Sequence, residues 1–157
     1  MKPKVCVVIP TYNEAENLPE IVTKLFSLAL PFLRVIIVDD ASPDGTGDLA
    51  DSIAEVHGGQ IQVLHRPTKT GIGPAYVAGF KAALKFKPDI IVQMDADLSH
   101  PPDAIPMMLN EFESADVVIG SRYVVGGTID RGWGWRRRVL SWCGNTYARA
   151  VAGVLVR

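Results

Sequence analysis

The stretch Ile90-Ile91-Val92-Gln93-Met94-Asp95-Ala96-Asp97 is an apolar run that ends on two carboxylates. Its aliphatic residues predict a buried strand, and open α/β sheets bind ligands at the carboxyl ends of their strands. Two aspartates at such an end suit a divalent cation, which takes oxygen ligands and keeps positions free for substrate phosphates. The pattern predicts a site for a metal-bound diphosphate, and a helix cap or a turn is the alternative role for these residues.

Composition sets limits on the class of protein. The length of 157 residues is typical of one domain, so a single domain is expected over residues 1–157. A net charge of −1 argues against a nucleic-acid binder. Cys6 and Cys143 are too few for a disulfide framework, and we find neither a signal peptide nor an apolar segment of membrane-spanning length. A cytoplasmic protein with no nucleic-acid partner is expected.

Apolar runs alternate with amphipathic segments along the whole chain. The runs predict strands at residues 5–9, 34–38, 61–64, 90–94 and 117–119. Helical spacing predicts helices at residues 18–30, 46–56, after a loop through Gly71 and Gly73, between 102 and 114, and at 139–157. This alternation is typical of the α/β class, here a Rossmann-like, mostly parallel sheet with helices on both faces.

Polar clusters follow most of the predicted strands. The clusters are Pro10-Thr11-Tyr12-Asn13-Glu14, Asp39-Asp40, Asp95 with Asp97, and Gly120-Ser121-Arg122-Tyr123. Because parallel strands end at one edge of a sheet, we expect these clusters to meet there. Asp39-Asp40 can accept hydrogen bonds from a base or ribose, with N-capping of the next helix as the alternative. An arginine at a strand end, such as Arg122, favours an anion fork.

A glycine-rich segment tests one rival class of nucleotide-binding protein. In Gly71-Ile72-Gly73-Pro74-Ala75-Tyr76, a tyrosine stands where a dinucleotide fingerprint has its third glycine, and a loop separates the segment from its strand. A dinucleotide-binding dehydrogenase is therefore disfavoured.

The four segments Pro10–Glu14, Val38–Thr46, Met94–Pro102 and Gly120–Tyr123 occur in a definite order and spacing. Together they resemble the dolichyl-phosphate or polyprenyl-phosphate mannosyltransferases, which are inverting members of glycosyltransferase family two with the GT-A fold. The stretches Ser42–Thr46 and Ser99-His100 point to the polyprenyl-phosphate branch. The resemblance runs from the first strand to the last helix, where family members continue further, so it implies an incomplete C-terminal region.

The resemblance implies a role for each matching position. It implies that the guanosine part of GDP-mannose is held by Pro10, Tyr12, Glu14, Val38 and Asp40. It implies that the diphosphate and its Mg²⁺ or Mn²⁺ are held by Asp95, Ala96 and Asp97, with Ser99 as a weaker or water-mediated metal contact. Arg122 resembles the family's diphosphate-binding arginine, and Arg137 the residue that meets the acceptor phosphate. Asp97, Arg122 and Arg137 are thus the implied catalytic residues.

The implied activity is metal-dependent, inverting transfer of mannose from GDP-mannose to a polyprenyl or dolichyl-type phosphate. Two alternatives stay open: glucosyl transfer from UDP-glucose, and a nucleotide-sugar-binding fragment without turnover. The tail, with Trp133 and Trp135 beside Arg136-Arg137-Arg138 and a helix after them, also has two interpretations. It packs on the sheet, or it lies at the bilayer surface where aromatic and basic side chains are favoured.

Overall fold

The computed structural model describes residues 2–121, 139–140, 142–144, 146–147 and 151. Residues 1–106 form one compact unit and residues 107–157 a second. The strands are β1 (Val5–Thr11), β2 (Leu33–Asp39), β3 (Ile61–His65) and β4 (Ile90–Gln93). The helices are α1 (Leu18–Ser27), α2 (Thr46–Val56), α3 (Ile72–Ala83) and α4 (Ile105–Glu111), with short 3-10 helices at Leu84–Phe86 and Pro102–Ala104.

The first unit is built on a parallel four-stranded sheet in the order β3-β2-β1-β4. β1 pairs with β2 along its whole length, from Val5 opposite Leu33 to Thr11 opposite Asp39. The chain moves outward from β1 to β2 and β3, and then returns to place β4 on the other side of β1. This reversal makes the carboxyl ends of β1 and β4 the topological switch point, where ligands bind in such sheets. The predicted α/β fold with a mostly parallel sheet is confirmed.

The two central strands are buried on both faces, which explains why their sequences are apolar without alternation. Every residue from Val5 to Ile9 is at most 1% exposed. Cys6, Val8, Ile36 and Val38 form a core cluster with the buried side of α3. Because successive side chains of a strand point to opposite faces, the equally buried residues between them face the other layer.

Gly79 allows α3 to lie close to the sheet. A Cβ atom at this position would lie 2.3 Å from Val8 Cγ1 and 3.1 Å from Val38 Cγ2. Overpacking a core costs about 1–3 kcal/mol, and this overlap belongs at the upper end because Val8 is fixed in the central strand. The cost exceeds the roughly 1 kcal/mol that alanine gains over glycine in a helix.

We therefore expect Gly79→Ala to lower the free energy of unfolding by about 1–2 kcal/mol in urea titrations. Gly73→Ala is the matched control, because Gly73 lies in the same helix and a Cβ there meets nothing within 4 Å. That variant should be neutral or stabilised. Equal effects of the two substitutions would contradict close packing at Gly79.

Several element boundaries differ from the sequence predictions for local reasons. α1 ends at Ser27 rather than at residue 30, because Ala29 takes a left-handed backbone conformation with φ of 50°. α3 begins at Ile72, so Gly73 is helical and not part of the preceding loop. The predicted strand at 117–119 is wrong: these residues form no strand, and Val117 and Ile119 are 74% and 59% exposed. A run of three apolar residues is too short to distinguish a strand from other structures.

The described residues of the last predicted helix, 139–140, 142–144, 146–147 and 151, are helical. Within the described ranges, no helix has both the length and the hydropathy of a membrane span.

Candidate functional site

A cleft of about 260 Å³ lies at the carboxyl ends of the strands in the first unit. It is lined by Pro10 and Thr11 at the end of β1 and by Tyr12 and Glu14 after it, by Asp40 after β2, by Lys69 and Gly71 before α3, by Ile72 and Ala75 in the first turn of α3, and by Asp95, Ala96 and Asp97 after β4. The cleft therefore lies at the switch point between β1 and β4. It brings together the predicted residues Pro10, Tyr12, Glu14, Asp40, Asp95, Ala96 and Asp97.

The loop after β1 is held in place by the loop after β2. The backbone N–H of Asn13 donates to Ser42 Oγ at 3.1 Å, that of Glu14 to Thr46 Oγ1 at 3.0 Å, and that of Ala15 to Asp44 Oδ2 at 3.2 Å. Hydrogen bonds from the Thr46 hydroxyl and from the backbone N–H groups of Thr46 and Ala15 lower the pKa of Asp44. The stretch Ser42–Thr46 thus positions Tyr12 and Glu14.

Asp39 and Asp40 are adjacent but have different partners. Asp39 accepts hydrogen bonds from the Thr11 hydroxyl at 3.2 Å and from the Ser42 backbone N–H at 3.1 Å, which closes the turn after β2. At the N-terminus of α2, the backbone N–H of Thr46 instead donates to Asp44 Oδ1 at 3.1 Å. Neither Asp39 nor Asp40 caps α2, and only Asp40 lines the cleft.

Asp40 is paired with a cation that the sequence analysis did not single out. The Arg66 guanidinium donates to Asp40 Oδ1 and to the Thr70 hydroxyl. The Thr70 backbone N–H lies 3.4 Å from Asp40 Oδ2. The Asp40 side chain is 6% exposed and that of Arg66 17% exposed, so the charge is compensated within the protein.

Asp95 is oriented by two neighbours. The Tyr76 hydroxyl donates to Asp95 Oδ1 at 2.6 Å, and burial, together with this hydrogen bond, raises the pKa of Tyr76. The Asp95 backbone N–H donates to His100 Nδ1 at 3.1 Å. Nδ1 accepts this hydrogen bond only when it carries no proton. The 3.6 Å contact between His100 Nδ1 and Asp95 Oδ2 is therefore not an ion pair through a proton on Nδ1.

Asp97 is the more exposed of the two aspartates, and the turn that follows it favours its ionised form. The Ser99 backbone N–H donates to Asp97 Oδ1 at 3.0 Å. Hydrogen bonds from the Ser99 hydroxyl and backbone lower the pKa of Asp97. The Tyr76 hydroxyl and the Ser99 backbone N–H both donate to Oδ1 atoms, so neither of these two hydrogen bonds uses Oδ2 of Asp95 or Asp97. The described residues contain no cluster of three or more acidic, histidine or cysteine ligands.

This donor set fits a hard divalent cation such as Mg²⁺ or Mn²⁺. Asp95 and Asp97 line one cleft and offer carboxylate oxygens, which such cations prefer. Two protein ligands leave the other coordination positions to phosphate oxygens and water. A structural zinc site, closed by four protein ligands, does not fit.

The loops around the cleft hold their residues in uncommon backbone conformations. Asn13, Ala41 and Leu98 have φ values of 60°, 56° and 59°, and each lies in the loop that follows β1, β2 or β4. Such conformations cost free energy for residues other than glycine and concentrate at functional sites. Their positions support the assignment of this edge of the sheet as the site.

Two of the other predicted site residues, Val38 and Ser99, do not line the cleft. Val38 is fully buried, and its side chain belongs to the core beneath α3. Ser99 is exposed outside the cleft and contacts it through Asp97. Arg122 and Arg137 lie outside the described residues, and so do Trp133 and Trp135.

A larger cleft, of about 330 Å³, lies at the opposite edge of the sheet, around the amino ends of β1 and β2. Its lining includes Lys4, Cys6, Arg34 and Phe86 but, among the described residues, no carboxylate. Burial raises the pKa of Cys6 to about 11, so its thiol stays protonated and belongs to the core. We assign the site to the smaller cleft, because ligands bind at the carboxyl ends of parallel strands.

Comparison with known proteins shows the family to which the chain is related. The sequence profile described as "Glycosyl transferase family 2" matches residues 6–151. The polyprenol monophosphomannose synthase of Mycolicibacterium smegmatis is 50% identical over 149 residues, which cover 94% of this chain and 56% of that protein. The undecaprenyl-phosphate mannosyltransferase of Micrococcus luteus is 47% identical over 151 residues, which cover 96% of this chain and 61% of that protein.

Among solved structures, the mannosyltransferase PcManGT from Pyrobaculum calidifontis, in complex with GDP-Man and Mn²⁺, matches with a TM-score of 0.59 and 26% identity. The match covers 75% of this chain and 34% of that one. The chain thus spans little more than half the length of the two relatives named above.

Proposed function

The chain belongs to the glycosyl transferase family 2, and from this membership we propose that it carries the donor-binding and catalytic part of a polyprenyl-phosphate mannosyltransferase. The proposed reaction transfers mannose from GDP-mannose to a polyprenyl or dolichyl-type phosphate with inversion and with Mg²⁺ or Mn²⁺. The names of the relatives from M. smegmatis and M. luteus support this acceptor class. The GDP-Man and Mn²⁺ in the PcManGT structure support the donor and the cation.

The observation that carries the proposal is the placement of Asp95 and Asp97 in the same cleft as Tyr12, Glu14 and Asp40. An aromatic ring and carboxylates at one end of the cleft suit a base and a ribose. The two aspartates at the other strand end suit the metal-bound diphosphate. A nucleoside diphosphate sugar bound in this way places its leaving group against Asp95 and Asp97.

The residues of the site prepare it for a leaving diphosphate. A bound divalent cation supplies charge neutralisation on the leaving diphosphate. Tyr76 keeps Asp95 in one orientation, and Ser99 keeps Asp97 ionised, so both carboxylates are set before the donor enters. Such preorganisation is what makes electrostatic stabilisation effective in enzymes. We propose that Arg122 adds an anion fork to the same oxygens.

The acceptor phosphate serves as the nucleophile in this proposal. The second pKa of a phosphate monoester is about 6, so the group is largely ionised near neutral pH and needs no strong general base. We propose that Arg137 holds it in line behind the sugar carbon, where positioning lowers the barrier.

The last helix exposes the large apolar and aromatic side chains Leu140, Trp142, Tyr147 and Val151. This exposure supports contact with a bilayer surface, where a polyprenyl acceptor resides.

A mass-spectrometric assay with GDP-mannose and a short polyprenyl phosphate tests the activity. We expect mannosyl-phosphate product with Mn²⁺ or Mg²⁺ and none with EDTA. Parallel reactions with UDP-glucose identify glucosyl transfer instead. Binding of GDP without product from any donor would contradict catalysis by this chain and favour a nucleotide-sugar-binding role.

A further inference from the structure

Lys69 is a cation in an otherwise acidic cleft. Among the described residues that line the cleft, it is the only positively charged one, and it shares the cleft with Glu14, Asp40, Asp95 and Asp97. The segment that carries it is fixed on both sides. On one side, the Arg66 guanidinium donates a hydrogen bond to the Asp40 carboxylate. On the other side, the Thr70 backbone N–H lies 3.4 Å from the same carboxylate. The Lys69 side chain itself is exposed.

The Lys69 ammonium covers the aromatic ring of Tyr12. Its Nζ lies 3.4 Å from the ring centroid, within the range of a cation–π interaction. Tyr12 also lines the cleft and is held by the loop contacts described above. The ammonium therefore covers one face of an aromatic ring that lines the cleft, and a nucleobase that stacked on that face would displace it.

A nucleoside diphosphate would change the balance of interactions at Lys69. An exposed cation–π contact is weak, whereas a charge-assisted hydrogen bond to a phosphate oxygen is among the stronger polar interactions in proteins. A nucleotide whose base stacks on Tyr12 displaces the Lys69 ammonium from the ring and brings phosphate oxygens into the same cleft. Binding of the base and relocation of the ammonium then favour each other.

We propose that Lys69 leaves the Tyr12 ring when a nucleotide binds and donates to its diphosphate. This inference rests on the proposed function, because it takes the ligand to be a nucleoside diphosphate sugar. Lys69 is then a binding residue that selects nucleoside diphosphates over bare nucleosides, which offer the base but no anion. It also compensates, from the β3 side of the cleft, part of the charge at Asp95 and Asp97.

The test compares guanosine and GDP by calorimetry on the full 157-residue chain in Mn²⁺. We expect Lys69→Met to weaken GDP binding at least about tenfold, the loss typical of a hydrogen bond between charged groups. Guanosine affinity should stay the same or rise by up to about fivefold, because the ring of Tyr12 is freed. Lys69→Arg, which keeps the charge, should restore most of the GDP affinity.

Lys81→Met is the matched control, because Lys81 is an exposed lysine in the last turn of α3, away from the cleft. It should leave both affinities unchanged. An unchanged ratio of GDP to guanosine affinity in Lys69→Met overturns the inference about Lys69 and leaves the proposed function standing. Absence of GDP and UDP binding to the unaltered protein overturns the proposed function together with the inference.

Discussion

Replacing Asp97 with asparagine should reduce the GDP affinity in Mn²⁺ to the level that the unaltered protein shows in EDTA. Two carboxylates and a diphosphate repel one another unless a cation lies between them, so loss of one anionic ligand removes the metal-dependent part of the affinity. Loss of even an outer-shell partner of a metal ligand typically costs about 10–100-fold in metal affinity. Loss of a direct ligand should reach at least the upper end of that range.

Asparagine is the informative replacement, because its side-chain oxygen can still accept the Ser99 N–H that Asp97 Oδ1 accepts at 3.0 Å. The turn is thereby preserved while the charge is removed. Isothermal titration of GDP in Mn²⁺ and in EDTA gives the four affinities required. Glu55→Gln is the matched control, because it removes one negative charge at an exposed position near the C-terminal end of α2, which is not part of the cleft. Its GDP affinities in Mn²⁺ and in EDTA should equal those of the unaltered protein. Equal GDP affinities in Mn²⁺ and EDTA for unaltered protein and Asp97→Asn would refute the metal assignment.

The sequence was sufficient to predict the four strands of the sheet and the edge at which the candidate site lies, although it also predicted a strand at 117–119 that is not formed. Continuous aliphatic runs identify strands that are buried on both faces, and parallel strands place all of their following loops at one edge. Polar clusters at the ends of β1, β2 and β4 include most of the cleft residues. The loop after β3 lies at the same edge, and there Arg66 follows the strand directly and Lys69 lies three residues further on.

What the sequence could not supply is the identity of each carboxylate's partner. Asp39 and Asp40 are neighbours of the same type, yet one closes a turn and the other lines the cleft. Their roles depend on side-chain partners far away in the chain, such as Arg66 for Asp40. Tyr76 presents the same difficulty. On an apolar helix face it is indistinguishable from a packing residue until Asp95 is found at its hydroxyl.

Arg66→Met should lower the free energy of unfolding by about 3–5 kcal/mol, the range found when one partner of a buried ion pair is removed. The substitution leaves the Asp40 carboxylate, whose side chain is 6% exposed, without its cation. Among the described residues, the carboxylate then keeps the Thr70 N–H at 3.4 Å as its hydrogen-bond donor, a weak hydrogen bond at most. Urea titration of the variant and of the unaltered protein measures the difference.

The double variant Arg66→Met/Asp40→Leu separates the unpaired charge from lost packing. Replacing both members of a buried pair with apolar groups is often neutral or stabilising, so the double variant should recover most of the lost stability. The exposed pair of Lys24 and Glu20, 2.7 Å apart, is the matched control, and Lys24→Met should change the free energy of unfolding little, because exposed ion pairs contribute little to stability. A double variant as unstable as Arg66→Met would show that the methylene stem of Arg66, rather than its charge, stabilises the fold. If the double variant is stable but has lost nucleotide affinity, then Asp40 is retained for the ligand, and Arg66 is retained because a buried carboxylate needs a cation.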